Sequence, residues 1–270
     1  MMHNFLTVSV VALLPLLYLP STAMAQLSTF SVLGGSTVTN TAAPTVVNGN
    51  LGVSPGSAVT GFPPGIVIGG SIHAADSAAA QAQTDLTGVY NSLATTACNT
   101  DLTGQNLGGL TLTPGVYCFT TSAQLTGTLT LDAQGNPNAV FIFKIGSTLT
   151  TASGSSVLPI NNASNCGVFW QIGSSATLGT GTSLVGSIIA LTSITLNTGA
   201  SITGRALARN GAVTLDNNHV TLCSGGPGLP PPLQPGVTST PAMSLPVLAG
   251  LALLFAALGS VLARKAQALG

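Results

Sequence analysis

The sequence predicts a mostly β fold, a right-handed discontinuous β-solenoid (β-helix) of triangular cross-section, with one long α-helix packed alongside. Three observations predict it. A threonine–leucine unit recurs five times, a strongly apolar stretch precedes each unit, and one Ala-, Gln- and Leu-rich segment nearly lacks glycine. A period of this length marks a coil of short strands in which each turn buries its apolar side against the next.

The chain of 270 residues opens on an apolar run, Phe5 to Leu19, followed by Ala23-Met24-Ala25. This A-x-A site reads as the end of a signal peptide over residues 1–25, with a mature start at Gln26. Residues 26–72 read as short strands and turns: Ser36-Thr37-Val38-Thr39-Asn40 alternates polar and apolar positions, while Gly49 to Gly56 and Gly61 to Gly65 are turn-rich. From His73 to Ala97 the spacing and composition predict the helix, with Asp76 near its start, where the helix dipole favours an anion.

Residues 107–223 hold the repeat. The units are Thr130-Leu131-Asp132, Thr148-Leu149-Thr150, Thr177-Leu178-Gly179, Thr195-Leu196-Asn197 and Thr214-Leu215-Asp216, and the leucines step by 18, 29, 18 and 19 residues. Side chains alternate across a strand, so leucines stacked inside place the threonines outside. A second outward row falls two residues earlier, at Thr128, Gly146, Ser175, Ser193 and Ala212. The expected result is a flat grid of small hydroxyl- and methyl-bearing groups.

The apolar stretches are Val116 to Phe119, Val140 to Phe143, Val168 to Ile172, Ser187 to Leu191 and Ala206 to Ala208. Apolar residues at consecutive positions imply a strand buried on both faces. One face meets the core, and the helix is the expected cover for the other. A third strand per turn is expected around Val157-Leu158, Leu184-Val185, Ile202 and Val220, with an extra loop from Pro159 to Cys166. Gly225 to Pro241 is Pro-rich, so 224–243 reads as a linker. Leu245 to Ala263 is apolar and Arg264-Lys265 follows, so 244–270 reads as a membrane or sorting segment with a basic end. That tail resembles bacterial C-terminal sorting signals. The chain is therefore expected to be exported and displayed or secreted by a bacterium.

Composition narrows the function. Charged residues make up 4% of the chain, against about 25% in an average soluble domain. Nucleic acid is not an expected partner, because backbone binding needs clustered Lys and Arg. Cys98, Cys118, Cys166 and Cys223 lie in the exported part. They lack the CxxC spacing of a zinc site, and no metal or cofactor is expected. Three disulfide connectivities are open; Cys98–Cys118 is favoured because it joins the helix end to the first apolar strand. The acids Asp132 and Asp216 stand four units apart, and Asp76, Asp85 and Asp101 flank or occupy the helix. No pair suits glycoside hydrolysis, so no enzyme is expected.

Several stretches together resemble the microbial ice-binding family. They are Leu51 to Gly56, the helix Ala74 to Leu93, Leu110 to Tyr117, Ala139 to Phe143, Leu149 to Ser155, Val168 to Gly179, Ser193 to Leu196 and Gly204 to Asp216. The resemblance spans about residues 28–222 and implies one solenoid domain over 26–223. It implies adsorption to ice by a flat face, with inhibition of ice growth and recrystallisation. It also implies an ice crystal as partner and a monomeric domain. The predicted site is Thr128, Thr130, Thr148, Ser175, Thr177, Ser193, Thr195, Ala212 and Thr214. Some members carry a loose Thr-Ala/Gly-x-Thr/Asn pattern, which Thr198-Gly199-Ala200-Ser201 approximates. The alternative is a surface-displayed structural adhesin or polysaccharide-binding solenoid.

Overall fold

The computed structural model describes residues 23–41, 43–224 and 228–230. The signal-peptide residues before Ala23 and the tail segment 244–270 lie outside the described residues. No helix among the described residues is long and apolar enough to cross a membrane.

The strands pair in parallel and build three sides of a coil. A seven-stranded sheet forms one side. A fifteen-stranded sheet folds around a corner to form the other two. The turn beginning at Ala176–Leu178 shows the plan. Ser183–Ala190 is one eight-residue strand whose first half runs along the third side and whose second half runs along the helix side. The corner falls at Gly186, with φ of 103°, and in the next turn at Gly204, with φ of 151°. Glycine is required there. A Cβ on Gly204 would stand 2.0 Å from the Gly186 carbonyl oxygen, and a φ this positive is essentially a glycine conformation.

The expected apolar strands all sit on the helix side, in register. Tyr117 pairs with Phe143, Phe143 with Trp170, Trp170 with Ile188, Ile188 with Ala206 and Ala206 with Val32. Phe143 and Trp170 stack inside the core at 4.0 Å. The outward residues Phe30, Leu33, Phe169, Ile189 and Leu207 meet a second apolar cluster on the helix. That helix, α2, spans Ser77–Thr95, and α1 spans Ala23–Ser28. The expected mature start at Gln26 therefore falls inside α1, where Leu27 is fully buried.

The α2 helix buries Ala82, Leu86, Val89, Tyr90 and Leu93, a single stripe at helical spacing. Asp76 caps it: Oδ1 accepts from the Ala79 N–H at 2.9 Å. At the other end the Lys144 ammonium donates to the Thr96 carbonyl at 2.5 Å. A cation is favoured there by the dipole. The Cys98–Cys118 disulfide follows at once, as the sequence led one to expect, and a second joins Cys166 to Cys223.

The coil is discontinuous in sequence. Its last strands pair with the first strands of the chain: Val213–Leu215 with Thr37–Asn40, and His219–Thr221 with Val46–Asn48. Two N-terminal turns thus extend the stack, and α2 carries the chain back along the helix side to the opposite end.

Candidate functional site

The seven-stranded sheet is the threonine side. Its inward residues include Leu125, Leu149, Leu178, Leu196, Leu215 and Val38, all buried. Its outward middle row runs Gln124, Thr150, Thr177, Thr195, Thr214, Thr39, Thr60. The isolated bridge Asn106–Gln124 adds Asn106 beyond Gln124. Two residues earlier in each strand, the register places Ser122, Thr148, Ser175, Ser193, Ala212, Thr37 and Ala58 side by side. Neighbouring strands stand roughly 4.8 Å apart and i to i+2 along a strand is roughly 6.7 Å. The side is therefore a fixed grid of hydroxyls and methyls.

The structure brings together most of the predicted site and moves the rest. Thr177, Thr195 and Thr214 form the middle row, and Ser175, Ser193 and Ala212 the neighbouring row, as expected. Thr148 belongs to the neighbouring row, because Leu149 pairs with Ala176 and Thr150 with Thr177. Gly146 therefore drops out of the grid. Thr128 and Thr130 are on the third side: they pair with Ser156 and Leu158. The five-leucine stack is accordingly three leucines long, Leu178, Leu196 and Leu215. The buried Thr151 occupies the stack position beside Leu178, and Leu131 pairs with Pro159 on the third side.

The reason is the length of the early turns. In them the corner between third and helix sides is not a single glycine. It is a loop, 133–140 in one turn and 161–167 in the next. Repeating an 18-residue step through these turns slips the register. A usable signal was present. Thr177 lies five positions after Ile172, the last residue of its helix-side strand, and Thr195 five after Ala190. The same count from Phe119 and Ile145 lands on Gln124 and Thr150. Thr198 to Ser201, which approximates the family's loose pattern, forms the corner between the threonine and third sides rather than part of the grid.

The grid is held in place by the strands beneath it. Ser175 Oγ accepts from the Ser193 N–H at 3.3 Å, and Ser193 Oγ from the Ala212 N–H at 3.2 Å. Thr148 Oγ1 donates to Ser122 Oγ at 2.8 Å, and Thr60 Oγ1 to Thr39 Oγ1 at 3.2 Å. Among the described residues, the hydroxyls of Thr150, Thr177, Thr195 and Thr214 have no partner within the protein. They are left to water.

The other two sides differ. The helix side is covered by α2. The third side is uncovered but uneven, with Ile66, Ile68 and Leu158 exposed by 49%, 46% and 50%, and His219 also outward. The acids other than Asp85, which lies buried within α2, serve turns and caps. Asp101 accepts from the Thr103 hydroxyl and N–H, Asp132 from the Asn161 amide and the Gln134 N–H, and Asp76 from the Ala79 N–H and His73. These bonds, in that order for each, hold the three carboxyls below the usual aspartate value. Asp216 accepts from the Thr198 hydroxyl, and Asp85 from Gln81.

Fold and site together define a three-sided parallel β-solenoid with a flanking helix and one flat, uncharged side. Its residues 32–221 match the Ice-binding-like family. The chain is 59% identical over 233 residues to the ice-binding protein of Nostoc sp. (strain HG1), covering 85% of this chain and 84% of that one. The crystal structure of an ice binding protein from an Antarctic biological consortium superposes with a TM-score of 0.72 at 46% identity, over 74% of this chain and 90% of that one. The ice-binding protein of the Antarctic ascomycete Antarctomyces psychrotrophicus gives 0.72 at 39% identity, over 75% and 98%. The chain belongs to the Ice-binding-like family.

Proposed function

We propose that this protein adsorbs to ice through the threonine side, with Thr150, Thr177, Thr195, Thr214, Thr39 and Thr60 as the middle row. Thr148, Ser175, Ser193, Ala212 and Thr37 form the row beside it. The observation that carries the reading is the contrast among the three sides: one is covered, one is broken by exposed isoleucines, leucine and histidine, and one is uncharged and, from Thr150 to Thr60, evenly small. Ice offers no charge and no pocket, so affinity must be the sum of many weak contacts made at once. Hydroxyls complete hydrogen bonds to ordered water, and threonine methyls fill the spaces between water positions. The parallel strands fix the spacing before contact, so little conformational entropy is lost on binding. The protein is read as non-catalytic, exported after removal of residues 1–25, and attached to a cell surface through residues 244–270.

The test is partition of the protein into a slowly growing ice front, with the Thr177→Tyr variant beside it. The parent is expected to enter the ice and the variant to remain in the liquid. A parent that stays in the liquid refutes the reading.

A further inference from the structure

The helix-side sheet changes character under the last turns of α2. Its outward row runs in register through Leu33, Leu207, Ile189, Gln171, Lys144 and Cys118. The first three are fully buried apolar residues in the cluster that α2 covers. The next two carry an amide and an ammonium. Polar groups placed under a helix are costly unless they are paired.

A cavity of about 440 Å³ lies there. Tyr90 and Ala94 of α2 line it together with Lys144 and Gln171. Phe119, Ile145 and the Cys98–Cys118 disulfide supply apolar wall. Exposed Thr120 also lines it, so it opens at the surface, two residues before Ser122 of the threonine side. Gln171 is 6% exposed, and its side-chain amide makes no hydrogen bond among the described residues. Trp170 and Ile172 on either side of it point into the core, so the amide faces the cavity. The Tyr90 hydroxyl is likewise unpartnered among the described residues, while the Arg209 guanidinium lies 4.7 Å over its ring. Lys144 gives one N–H to the Thr96 carbonyl and has no carboxylate partner among the described residues. Asp101 lies beyond Cys118 in the same row, but its carboxylate accepts from the Thr103 hydroxyl and N–H.

We propose that this cavity binds a sugar residue that carries a carboxylate, a hexuronic acid. The free donors of Lys144 take the carboxylate. The Gln171 amide and the Tyr90 hydroxyl each donate and accept, which suits ring hydroxyls. The apolar wall meets the C–H face of the pyranose. The volume is in the range of small-molecule sites and holds about one or two such residues. An aromatic or fatty acid would leave the amide and the phenol unpaired, and a neutral sugar would leave the ammonium unpaired. The site does not depend on ice adsorption by the threonine side.

Equilibrium dialysis of the full chain tests this with D-glucuronate, D-glucose and benzoate. Saturable binding of glucuronate is expected, with a dissociation constant of about 1 mM. Glucose and benzoate should bind about tenfold more weakly or worse. Gln171→Leu and Lys144→Met should each weaken glucuronate binding about tenfold or more, with circular dichroism unchanged. Glucose or benzoate binding as tightly as glucuronate overturns the proposal, as do folded variants that bind like the parent.

Carbodiimide coupling of glucuronate to the unsubstituted chain keeps the test sound if a variant fails to fold. The chain has two lysines, Lys144 and Lys265. The amide adduct on Lys144 should saturate with glucuronate concentration, and that on Lys265 should rise in proportion to it. A proportional rise at both, or no adduct on Lys144, overturns the proposal. A trimer of uronic acid residues then tells the two sources of the ligand apart. Binding about tenfold tighter than the monomer's assigns the site to an acidic polysaccharide, and equal or weaker binding assigns it to a free sugar acid. Both results uphold the acidic-sugar site.

Discussion

The segments Leu129-Thr130-Leu131 and Ile194-Thr195-Leu196 have almost the same sequence and end on different sides of the molecule. Thr195 stands in the middle of the threonine grid, between Thr177 and Thr214. Thr130 stands on the third side, between Thr111 and Leu158. The difference is in the turns that hold them. From Ala176 onward the third-to-helix corner is one glycine, and successive turns stay in phase. Before it, loops 133–140 and 161–167 fill the same corner. A strand's own sequence says which face is buried; its distance from the helix-side strand says which side of the coil it joins.

The largest effect is expected at the glycine corners. Gly204→Ala places a Cβ against the Gly186 carbonyl in a conformation alanine avoids. It should cost roughly 3 kcal/mol or more in unfolding free energy. Gly135→Ala, at the loop corner, has φ of 84° and open space around the added Cβ. It should cost about 1 kcal/mol. Equal losses in thermal or denaturant unfolding would show that the two corners are not built differently.

Arg205 gives the next contrast, between holding the ends and stabilising the fold. Burial pushes its guanidinium down to about 10. The folded value lies below the unfolded one, so the charge lowers stability at every pH beneath about 10 and that cost fades as the pH rises through it. Arg205→Met should therefore leave unfolding free energy unchanged or raise it by up to about 2 kcal/mol. Amide exchange in α1 and around Cys223 should nonetheless quicken, because the guanidinium no longer donates to the Ser28 carbonyl at 3.0 Å or reaches Cys223 Sγ at 3.9 Å. A loss well above about 3 kcal/mol would mean that the cation has a buried counter-charge.

A smaller effect concerns the end of the grid. Gln124 occupies a middle-row position but is long and exposed. Gln124→Thr continues the row toward Asn106 and should lower the concentration needed to stop recrystallisation by about twofold to threefold. No change, or a loss, would place the working edge of the face at Thr150.

Much of this was legible from the chain alone. The helix is marked by its Ala-rich stripe and Asp76, the helix-side strands by consecutive apolar residues, and the third strands by short apolar pairs. Cys98 and Cys118 are near neighbours in sequence and in space. Thr39 and Thr60 were not legible as site residues, because they join the grid by pairing with Thr214, far along the chain. No local pattern encodes that contact. Cys166 and Cys223 are 57 residues apart and meet only because the loop 161–167 and the end of the last third-side strand fall at the same corner of the coil. Gln124 was missed because it breaks the threonine pattern while keeping the register.

The most direct measurement pairs Thr195→Tyr with Thr130→Tyr and reads ice recrystallisation inhibition against concentration. Circular dichroism and unfolding of each variant run alongside. Both substitutions put a ring on an outward threonine, so both should fold. On the threonine side the ring lifts a flat grid from the crystal, and activity should fall about tenfold or more. On the third side the same ring should change activity by less than about twofold. Folded Thr195→Tyr protein with full activity, beside folded Thr130→Tyr protein without it, would contradict the assignment and place the ice-binding surface on the third side.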